Sequence, residues 1–286
     1  MLSHGQVLAV LEELAPRAGA EPGDEPCYEI MNGDNCNRLA ICAEPTERHL
    51  YLAASDGADF VVTHHAWHGE GEDVVRSKGI SIYRLHSAWD LAPDGNAATL
   101  ARMMGLTDLL LNDGCFTGLT GLSLRALLER CQRIIGRSVL PYYGDLSVAV
   151  RTVGIIPGSG FMSVFRRHWE SLKINGCDTI VSGDLSHTAL RYAQEEGLNL
   201  IDLGHSGMAK PGLAHLAYLL RCRLLALGCE VDFYDEILMA SHYTAWSLPR
   251  QEEGVRGNLT PVPFPGGSLP DIVSSATLGP NPRPLP

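Results

Sequence analysis

The sequence predicts an α/β fold with two related halves, each built from parallel or mixed sheets under helical layers. Short apolar segments alternate with amphipathic ones along most of the chain, an order that is typical of parallel sheets. In addition, residues 176–182 resemble residues 57–63, and His205-Ser206 resembles His86-Ser87, both at an offset of 119 positions. Two matches at one offset indicate an internal duplication, with chance likeness between short strings as the alternative.

The first half, residues 1–106, is defined by the period of its apolar residues and by its helix-ending signals. One predicted helix begins with a proline and ends at Gly57, and another ends at Gly105. The predicted elements are, in order, a helix at 4–15, a buried strand at 39–42, a helix at 45–57, strands at 59–63 and 80–86, and a helix at 96–104.

The remainder of the chain divides into three predicted parts. Residues 107–145 are predicted to be a linker region with one helix at 122–135. The second α/β half covers residues 146–250, with strands at 153–156, 176–182 and 198–203. Eight of the 17 prolines lie beyond residue 260, so residues 251–286 are predicted to be an irregular Pro/Gly-rich tail.

The composition excludes several classes of protein. Hydrophobic residues make up 45% and no apolar run approaches the roughly 18 residues of a membrane span, so we expect no membrane association. The amino terminus lacks the features of a secretory signal, which predicts a cytoplasmic protein. The eight cysteines contain no CxxC pair, as a zinc ribbon would require, and are expected in the core. A net charge of −11 opposes nucleic-acid binding.

Adjacent histidines follow one of the buried strands. Consecutive strand residues face opposite sides of a sheet, so His64 and His65 can serve one site only where the strand ends. Open α/β sheets bind ligands at these carboxyl ends. Imidazole with carboxylate suits zinc, iron, manganese or nickel without selecting among them, and the sequence therefore predicts a divalent metal ion in a central cleft. Further candidates follow the other predicted strands: His86, Asp90, Asp184, His187 and His205.

Some of these residues have plainer interpretations. His86 is expected to bond only to backbone within its own half. Asp184 could orient a ligand or serve as a base, and the plainer alternative is that it caps the following helix. Residues 158–161 follow a predicted strand and favour a tight turn over a phosphate-binding loop, because the full GxGxxG pattern is missing.

Four segments, in this order and spacing, resemble the Nif-three-like family (NGG-one-interacting-factor-three-like), also labelled GTP cyclohydrolase I type 2 homologues. The resemblance covers about residues 39–228. It implies a Nif-three-like fold with two α/β halves around a two-metal site, assembled into toroidal homohexamers. The segments are Thr63-His64-His65, Leu85-His86-Ser87-Ala88-Trp89-Asp90-Leu91-Ala92-Pro93, Ser182-Gly183-Asp184-Leu185-Ser186-His187 and Ile201-Asp202-Leu203-Gly204-His205.

Carried over by position, the resemblance also implies the ligands of the metal. These would be His64, His65, Asp90 and His205. The family places a bridging glutamate four residues after the last histidine, where this chain has Ala209. A methyl group cannot coordinate, so we expect one firmly held ion and at most a weakly held second one, unless His68 or Glu70 compensates.

The sequence therefore predicts a metal-dependent hydrolase that uses metal-activated water, with Asp184 or His187 assisting proton transfer. The substrate is expected to be a small molecule. A nucleotide or another phosphorylated compound is one candidate class, and a GTP cyclohydrolase-like reaction is what the family label suggests. The alternative is a non-catalytic metal-binding protein, either a metal carrier or a ring-shaped interaction or regulatory assembly. A structural protein without metal is the third possibility.

Overall fold

The computed structural model describes residues 2–234, which all belong to one compact unit. The predicted tail at 251–286 lies outside the described residues. The strands are β1 (Leu2–Ser3), β2 (Cys27–Ile30), β3 (Asn35–Cys36), β4 (Arg38–Cys42), β5 (Phe60–Thr63), β6 (Ser81–Arg84), β7 (Thr107–Asn112), β8 (Cys115–Leu119), β9 (Tyr142–Tyr143), β10 (Thr152–Ile155), β11 (Thr179–Ser182), β12 (Asn199–Asp202) and β13 (Glu230–Tyr234). The α-helices are α1 (His4–Leu14), α2 (Glu47–Asp56), α3 (Glu72–Lys78), α4 (Ser87–Asp90), α5 (Asn96–Met103), α6 (Leu124–Ile135), α7 (Arg166–Ile174), α8 (His187–Glu196) and α9 (His205–Leu224).

Two mixed sheets form the centre of the molecule and confirm the predicted α/β class. The first sheet has the order β13-β4-β5-β6-β2, and the second has the order β7-β8-β10-β11-β12-β9. In each sheet three consecutive strands run parallel, β4-β5-β6 in the first and β10-β11-β12 in the second. An antiparallel strand closes the far edge of each set, β2 beside β6 and β9 beside β12. The two sheets therefore share one plan, as the internal likeness at 119 positions predicts.

The segment 107–145 differs from the linker that the sequence predicts. It contains the expected helix as α6, but also the hairpin β7-β8, which extends the second sheet. Asp113 and Gly114 form the two-residue loop of this hairpin, with positive φ of 48° and 71°. Asp-Gly is the sequence signal for this kind of turn, so the hairpin can be recognised from the sequence.

Strand β13 is the second departure from the predicted order. It follows α9 at the end of the described chain, yet pairs in parallel with β4 of the first sheet. The chain thus returns from the second half to complete the first sheet, with Val231 opposite Leu39. A boundary drawn along the sequence cannot describe this exchange, because pairing between distant strands leaves no local pattern.

Local signals account for the helix ends that position the site. Helix α2 begins after Thr46, whose hydroxyl accepts from the amide of His49, and ends at Gly57 with a φ of 83°. Ser186 caps α8 in the same way. Between the two halves, α5 packs against α9, and the buried Trp89 indole donates a 3.2 Å hydrogen bond to the carbonyl of Gly212. These contacts fix the start of α9 relative to the first sheet.

Buried apolar side chains from both sheets and from the helices that cover them form the interior. Six of the eight cysteines are buried, as expected for small core residues. Among residues 2–234, no helix has both the length and the apolar character needed to cross a membrane.

Candidate metal centre

Four histidines from both halves meet at the carboxyl ends of the parallel strands. His64 and His65 directly follow β5, His86 lies two residues beyond β6, and His205 is the first residue of α9 after β12. We call His64, His65, His86 and His205 the histidine cluster. The cluster lies where open α/β sheets expose their ligand sites, as the sequence predicts.

The rings of the cluster are close enough to share a ligand. His205 Nε2 lies 3.0 Å from His65 Nε2, across the two halves. The ring centroid of His64 lies 4.6 Å from that of His65 and 4.6 Å from that of His86. One ring nitrogen from each of His64, His65 and His86 lies within 4.8 Å of the others. The two halves thus contribute to one site.

Each ring also has an oxygen acceptor at its Nδ1 nitrogen. His205 Nδ1 donates to Asp184 Oδ2 at 2.8 Å, and His65 Nδ1 donates to Glu44 Oε1. His86 Nδ1 donates to Asp24 Oδ2 at 2.6 Å. His64 Nδ1 donates to the carbonyl of Leu85 at 3.3 Å. Because these oxygens only accept, each neutral ring keeps its Nε2 lone pair free.

These tautomers leave two imidazole lone pairs facing each other. Nε2 of His65 and Nε2 of His205 both present lone pairs at 3.0 Å, an arrangement that is repulsive unless a proton or a metal ion lies between them. Ring nitrogens that bind one ion at about 2.0–2.1 Å are typically separated by about 3 Å. A carboxylate or carbonyl at the other ring nitrogen is the usual partner of a metal-binding histidine. The residues present therefore fit a metal ion.

Asp90 is a buried carboxylate with few compensating donors. Its Oδ1 accepts a 2.8 Å hydrogen bond from the Asn96 side chain and lies 3.7 Å from His64 Nε2, beyond hydrogen-bond distance. Burial raises the pKa of Asp90 above its ordinary value, and His86 opposes that rise when its ring is protonated. Burial also lowers the pKa of His64 well below its ordinary value. A neutral imidazole beside a buried carboxylate that accepts few hydrogen bonds is a ligand set that suits a buried cation.

The cluster is closed on one side and open on the other. The His64 side chain is 2% exposed, whereas the His205 side chain is 38% exposed and its partner Asp184 is 39% exposed. Burial would raise the pKa of Glu44, but the hydrogen bond with His65, together with the nearby histidines when they are protonated, outweighs burial and lowers the pKa. A ligand from solvent can therefore reach the cluster beside His205 and Asp184.

Tight backbone packing holds the loops of the second half beneath the cluster. A Cβ at Gly183 would lie 2.8 Å from the carbonyl oxygen of Gly158 and 2.9 Å from the amide nitrogen of His205. Asp184 follows with a φ of 61°, a conformation that non-glycine residues rarely adopt. Such strain is found at functional sites and is held here by the close approach of three loops. Residues 158–161 form a turn, the plainer of the two interpretations of this segment.

The candidate residues from the sequence fall into two groups. The structure brings His64, His65, Asp90 and His205 together, with Asp184 bonded to His205. Asp184 does not cap α8, since Ser186 does. His187 is exposed, and within residues 2–234 no hydrogen bond joins it to the histidine cluster. His68 and Glu70 lie in an exposed turn, where the Glu70 carboxylate accepts from the amide of His68.

The expectation for His86 is wrong. Its ring bonds to the Asp24 carboxylate and not to backbone, because the segment before β2 passes beside it and supplies a stronger acceptor. The acceptors Asp24 and Glu44 were missed. Glu44 lies two residues after β4, at the same edge of the sheet as His64, and this position was the available signal. Asp24 lies in an irregular segment and has no such signal.

Comparison with known proteins gives relatives over most of the chain. The "GTP cyclohydrolase 1 type 2 homolog" of Clostridium perfringens is 23% identical over 254 residues, covering 79% of this chain and 93% of the relative. The protein of the same name from Yersinia pestis is 29% identical over 228 residues, covering 73% and 85%.

Solved structures show the same fold. Reduced HcgD from Methanocaldococcus jannaschii superposes with a TM-score of 0.72 at 20% identity, covering 82% of this chain and 98% of that protein. A Bacillus cereus protein related to NIF3 superposes with a TM-score of 0.70 at 15% identity, covering 82% and 97%. The model of the Duf34/NIF3 (NGG1p interacting factor 3) family matches residues 2–237 of the 286. The chain therefore belongs to the Duf34/NIF3 family.

Proposed function

We propose that the protein is a metal-dependent hydrolase that binds a divalent metal ion between its two sheets and acts on a small molecule with metal-activated water. One observation carries the proposal: imidazoles from both halves converge with the buried carboxylate of Asp90, and every ring Nδ1 is already bonded to an oxygen acceptor. His64, His65, His205 and Asp90 would hold the ion. This donor set suits zinc, iron, manganese or nickel.

A bound divalent ion lowers the pKa of water to near 7, which makes water a nucleophile at neutral pH. The residues of the chain orient the site and move the proton. Asp184 holds His205 through Oδ2, and its exposed side chain leaves Oδ1 available to accept a proton from water. Glu44 orients His65 in the same way. We assign the proton transfer to Asp184 and not to His187, which has no hydrogen bond to the cluster within residues 2–234.

The open side of the cluster supports a substrate of small size. Access beside His205 and Asp184 suits a small molecule better than a duplex nucleic acid, which a net charge of −11 also disfavours. The name shared by the relatives makes GTP and other nucleotides the first class to assay, followed by simple phosphoesters.

A non-catalytic metal-binding protein, as a carrier or a ring-shaped regulatory assembly, is the second candidate. The observation that favours it is Ala209, which is 3% exposed and packs in the apolar cluster around Trp89. The family resemblance places a coordinating carboxylate at this position. A centre with one less carboxylate compensates less positive charge, and this favours a single ion over a reactive pair.

Elemental analysis and turnover assays separate the candidates. The full chain is purified without chelator, its metal content per chain is measured, and hydrolysis of nucleotides and phosphoesters is followed before and after chelation. Turnover that chelation abolishes supports the hydrolase, and Asp184→Asn should then lose it while His187→Gln keeps it. Stoichiometric metal without turnover supports the carrier. A metal-free, inactive protein that does not take up added zinc or iron overturns both.

We also propose the homohexameric ring that the resemblance implies, and a cytoplasmic location. Multi-angle light scattering measures the subunit number directly, and a monomer would contradict the ring.

A further inference from the structure

We propose that His86 is a ligand of the same metal centre, that Asp24 is its positioning residue, and that the centre is therefore rich enough in nitrogen to select ions that prefer imidazole. This inference rests on the proposed metal binding. It adds to the four ligands that the resemblance implies, none of which is His86.

The first observation is the position of the His86 ring. Its centroid lies 4.6 Å from that of His64 and 5.5 Å from that of His65. One ring nitrogen from each of these three histidines lies within 4.8 Å of the other two. Donor atoms that bind the same ion at about 2.0–2.2 Å lie within roughly 4.4 Å of each other, so only a small adjustment separates this trio from coordination.

The second observation is the duplication. His86 and His205 are equivalent under the 119-residue offset, and each follows the third of three parallel strands, β6 or β12. Each donates Nδ1 to an aspartate, Asp24 at 2.6 Å and Asp184 at 2.8 Å. Each ring also lies beside His65, with centroids 5.5 Å and 4.8 Å away. If one of these equivalent rings binds the ion through Nε2, the other offers an Nε2 ligand in the same way from the opposite sheet.

The third observation is how firmly Asp24 is held. Its Oδ1 accepts from the Arg84 guanidinium and its Oδ2 accepts a 3.1 Å bond from the amide of Ser87. Arg84 is itself anchored by Glu29 at 2.9 Å. A carboxylate paired with a guanidinium in this way is ionised and only accepts hydrogen bonds. His86 must therefore carry its proton on Nδ1 and leave Nε2 free.

Four imidazoles and one carboxylate then surround the centre. Imidazole suits zinc, copper, iron and nickel, whereas magnesium, calcium and manganese prefer carboxylate and water. With only Asp90 as a negatively charged member, the centre should bind Zn²⁺, Ni²⁺ or Co²⁺ far more tightly than Mg²⁺ or Mn²⁺. Zinc and cobalt are therefore the probes for the test.

The test replaces His86 by asparagine and measures metal binding directly. His86→Asn keeps an N–H donor near the Nδ1 position for Asp24 but removes the Nε2 ligand. His215→Asn is the matched control, since this half-buried histidine lies in α9 ten positions after His205 and its ring stacks on Tyr218. We expect Zn²⁺ affinity to fall at least about 10–100-fold in His86→Asn, the range seen when only an outer partner is removed. The visible spectrum of the Co²⁺ protein should change in His86→Asn and stay the same in His215→Asn.

Each outcome bears on a different statement. If the wild-type chain binds neither Zn²⁺ nor Co²⁺, the proposed function fails. If it binds both ions and His86→Asn binds them equally with an unchanged Co²⁺ spectrum, only the inference about His86 fails. If excess Mg²⁺ displaces Zn²⁺ from the wild-type chain, the inference that nitrogen ligands dominate the centre fails.

A second measurement avoids dependence on the folding of the variant. In the wild-type Co²⁺ protein, the Nδ1 proton of each bound histidine gives a strongly shifted, exchangeable NMR signal. Four such signals are expected if His86 coordinates, and three if it does not. Asp24→Asn should retain all four while lowering Zn²⁺ affinity about 10–100-fold, which separates a positioning role from a purely structural one.

Discussion

Nε2 of His205 lies 3.0 Å from Nε2 of His65, although 140 positions separate the two residues and each follows a strand of a different sheet. Neither sheet can complete the centre without the other. A metal ion bound by both residues would therefore join the two halves, and its binding free energy would add to the stability of the whole fold.

Removal of the charge on Asp184 should weaken metal binding between His65 and His205. Asp184→Asn keeps an oxygen acceptor for Nδ1 of His205 but loses the carboxylate that raises the basicity of the ring. We expect the affinity for Zn²⁺, measured by chelator competition, to fall about 10–100-fold with little change in metal-free stability. Glu195→Gln, which removes an exposed carboxylate paired with Arg191, is the control and should bind as the wild type does. Equal affinities in both variants would show that Asp184 does not support a ligand.

The backbone beneath His205 should tolerate no side chain. In Gly183→Ala the new Cβ would meet the carbonyl oxygen of Gly158 at 2.8 Å and the amide nitrogen of His205 at 2.9 Å. The loops must then separate, at a cost of about 1–3 kcal/mol in the free energy of unfolding, and His205 must shift away from His65. Denaturant unfolding and Zn²⁺ titration should show both losses. Gly121→Ala is the control because its Cβ would meet nothing within 4 Å. If both variants bound Zn²⁺ equally, the spacing of these loops would not determine the position of His205 in the site.

The central strands and the positions of the histidines at their ends were predictable because their signals are local. A buried strand followed by adjacent histidines places His64 and His65 at the end of β5, and the repeat at 119 positions relates His86 to His205 through the sequence alone. Strand ends gather at one edge of a sheet, so convergence within each half follows from the order of elements. The shared arrangement of β4-β5-β6 and β10-β11-β12 follows from the same signals.

The remaining features depend on pairing between distant segments. Strand β13 completes the first sheet from the far end of the chain, and Asp24 reaches His86 from an irregular segment with no period. Neither contact leaves a pattern in the neighbouring sequence. The expected backbone partner of His86 is wrong for this reason, since the acceptor of its ring proton lies in a distant segment.

Acid should destabilise the fold through His4, which lies outside the candidate centre. The ring is 1% exposed and meets Phe60 edge-on, with centroids 4.6 Å apart, and burial lowers its pKa below the ordinary value of 6.5. As the pH falls below about 6.5, the unfolded chain takes up this proton while the folded chain resists it, so stability is lost.

The loss from one such group is at most about 1.4 kcal/mol per pH unit. His4→Gln should flatten the dependence of the free energy of unfolding on pH between pH 6.5 and 5, whatever its effect on stability at neutral pH. Urea unfolding across this range measures the slope. His68→Gln, at an exposed position, should leave the slope unchanged. An unaltered slope in His4→Gln would mean that folding does not change the pKa of His4.

Ala209 provides the sharpest separation between a one-ion and a two-ion centre. It lies one helical turn after His205 and is 3% exposed, so Ala209→Glu places a carboxylate in an apolar environment at a cost of about 3–5 kcal/mol unless a cation compensates it. If position 209 faces the centre, added Zn²⁺ should restore most of the lost stability and raise the metal content per chain.

Ala217→Glu is the matched control, because Ala217 is 1% exposed in the same helix and the same apolar cluster but two turns further from His205. Thermal unfolding with and without Zn²⁺ should therefore show a metal-dependent rescue for Ala209→Glu and none for Ala217→Glu. Equal destabilisation of the two variants at every Zn²⁺ concentration would mean that position 209 belongs to the core alone, and that the centre is completed by the histidines and Asp90.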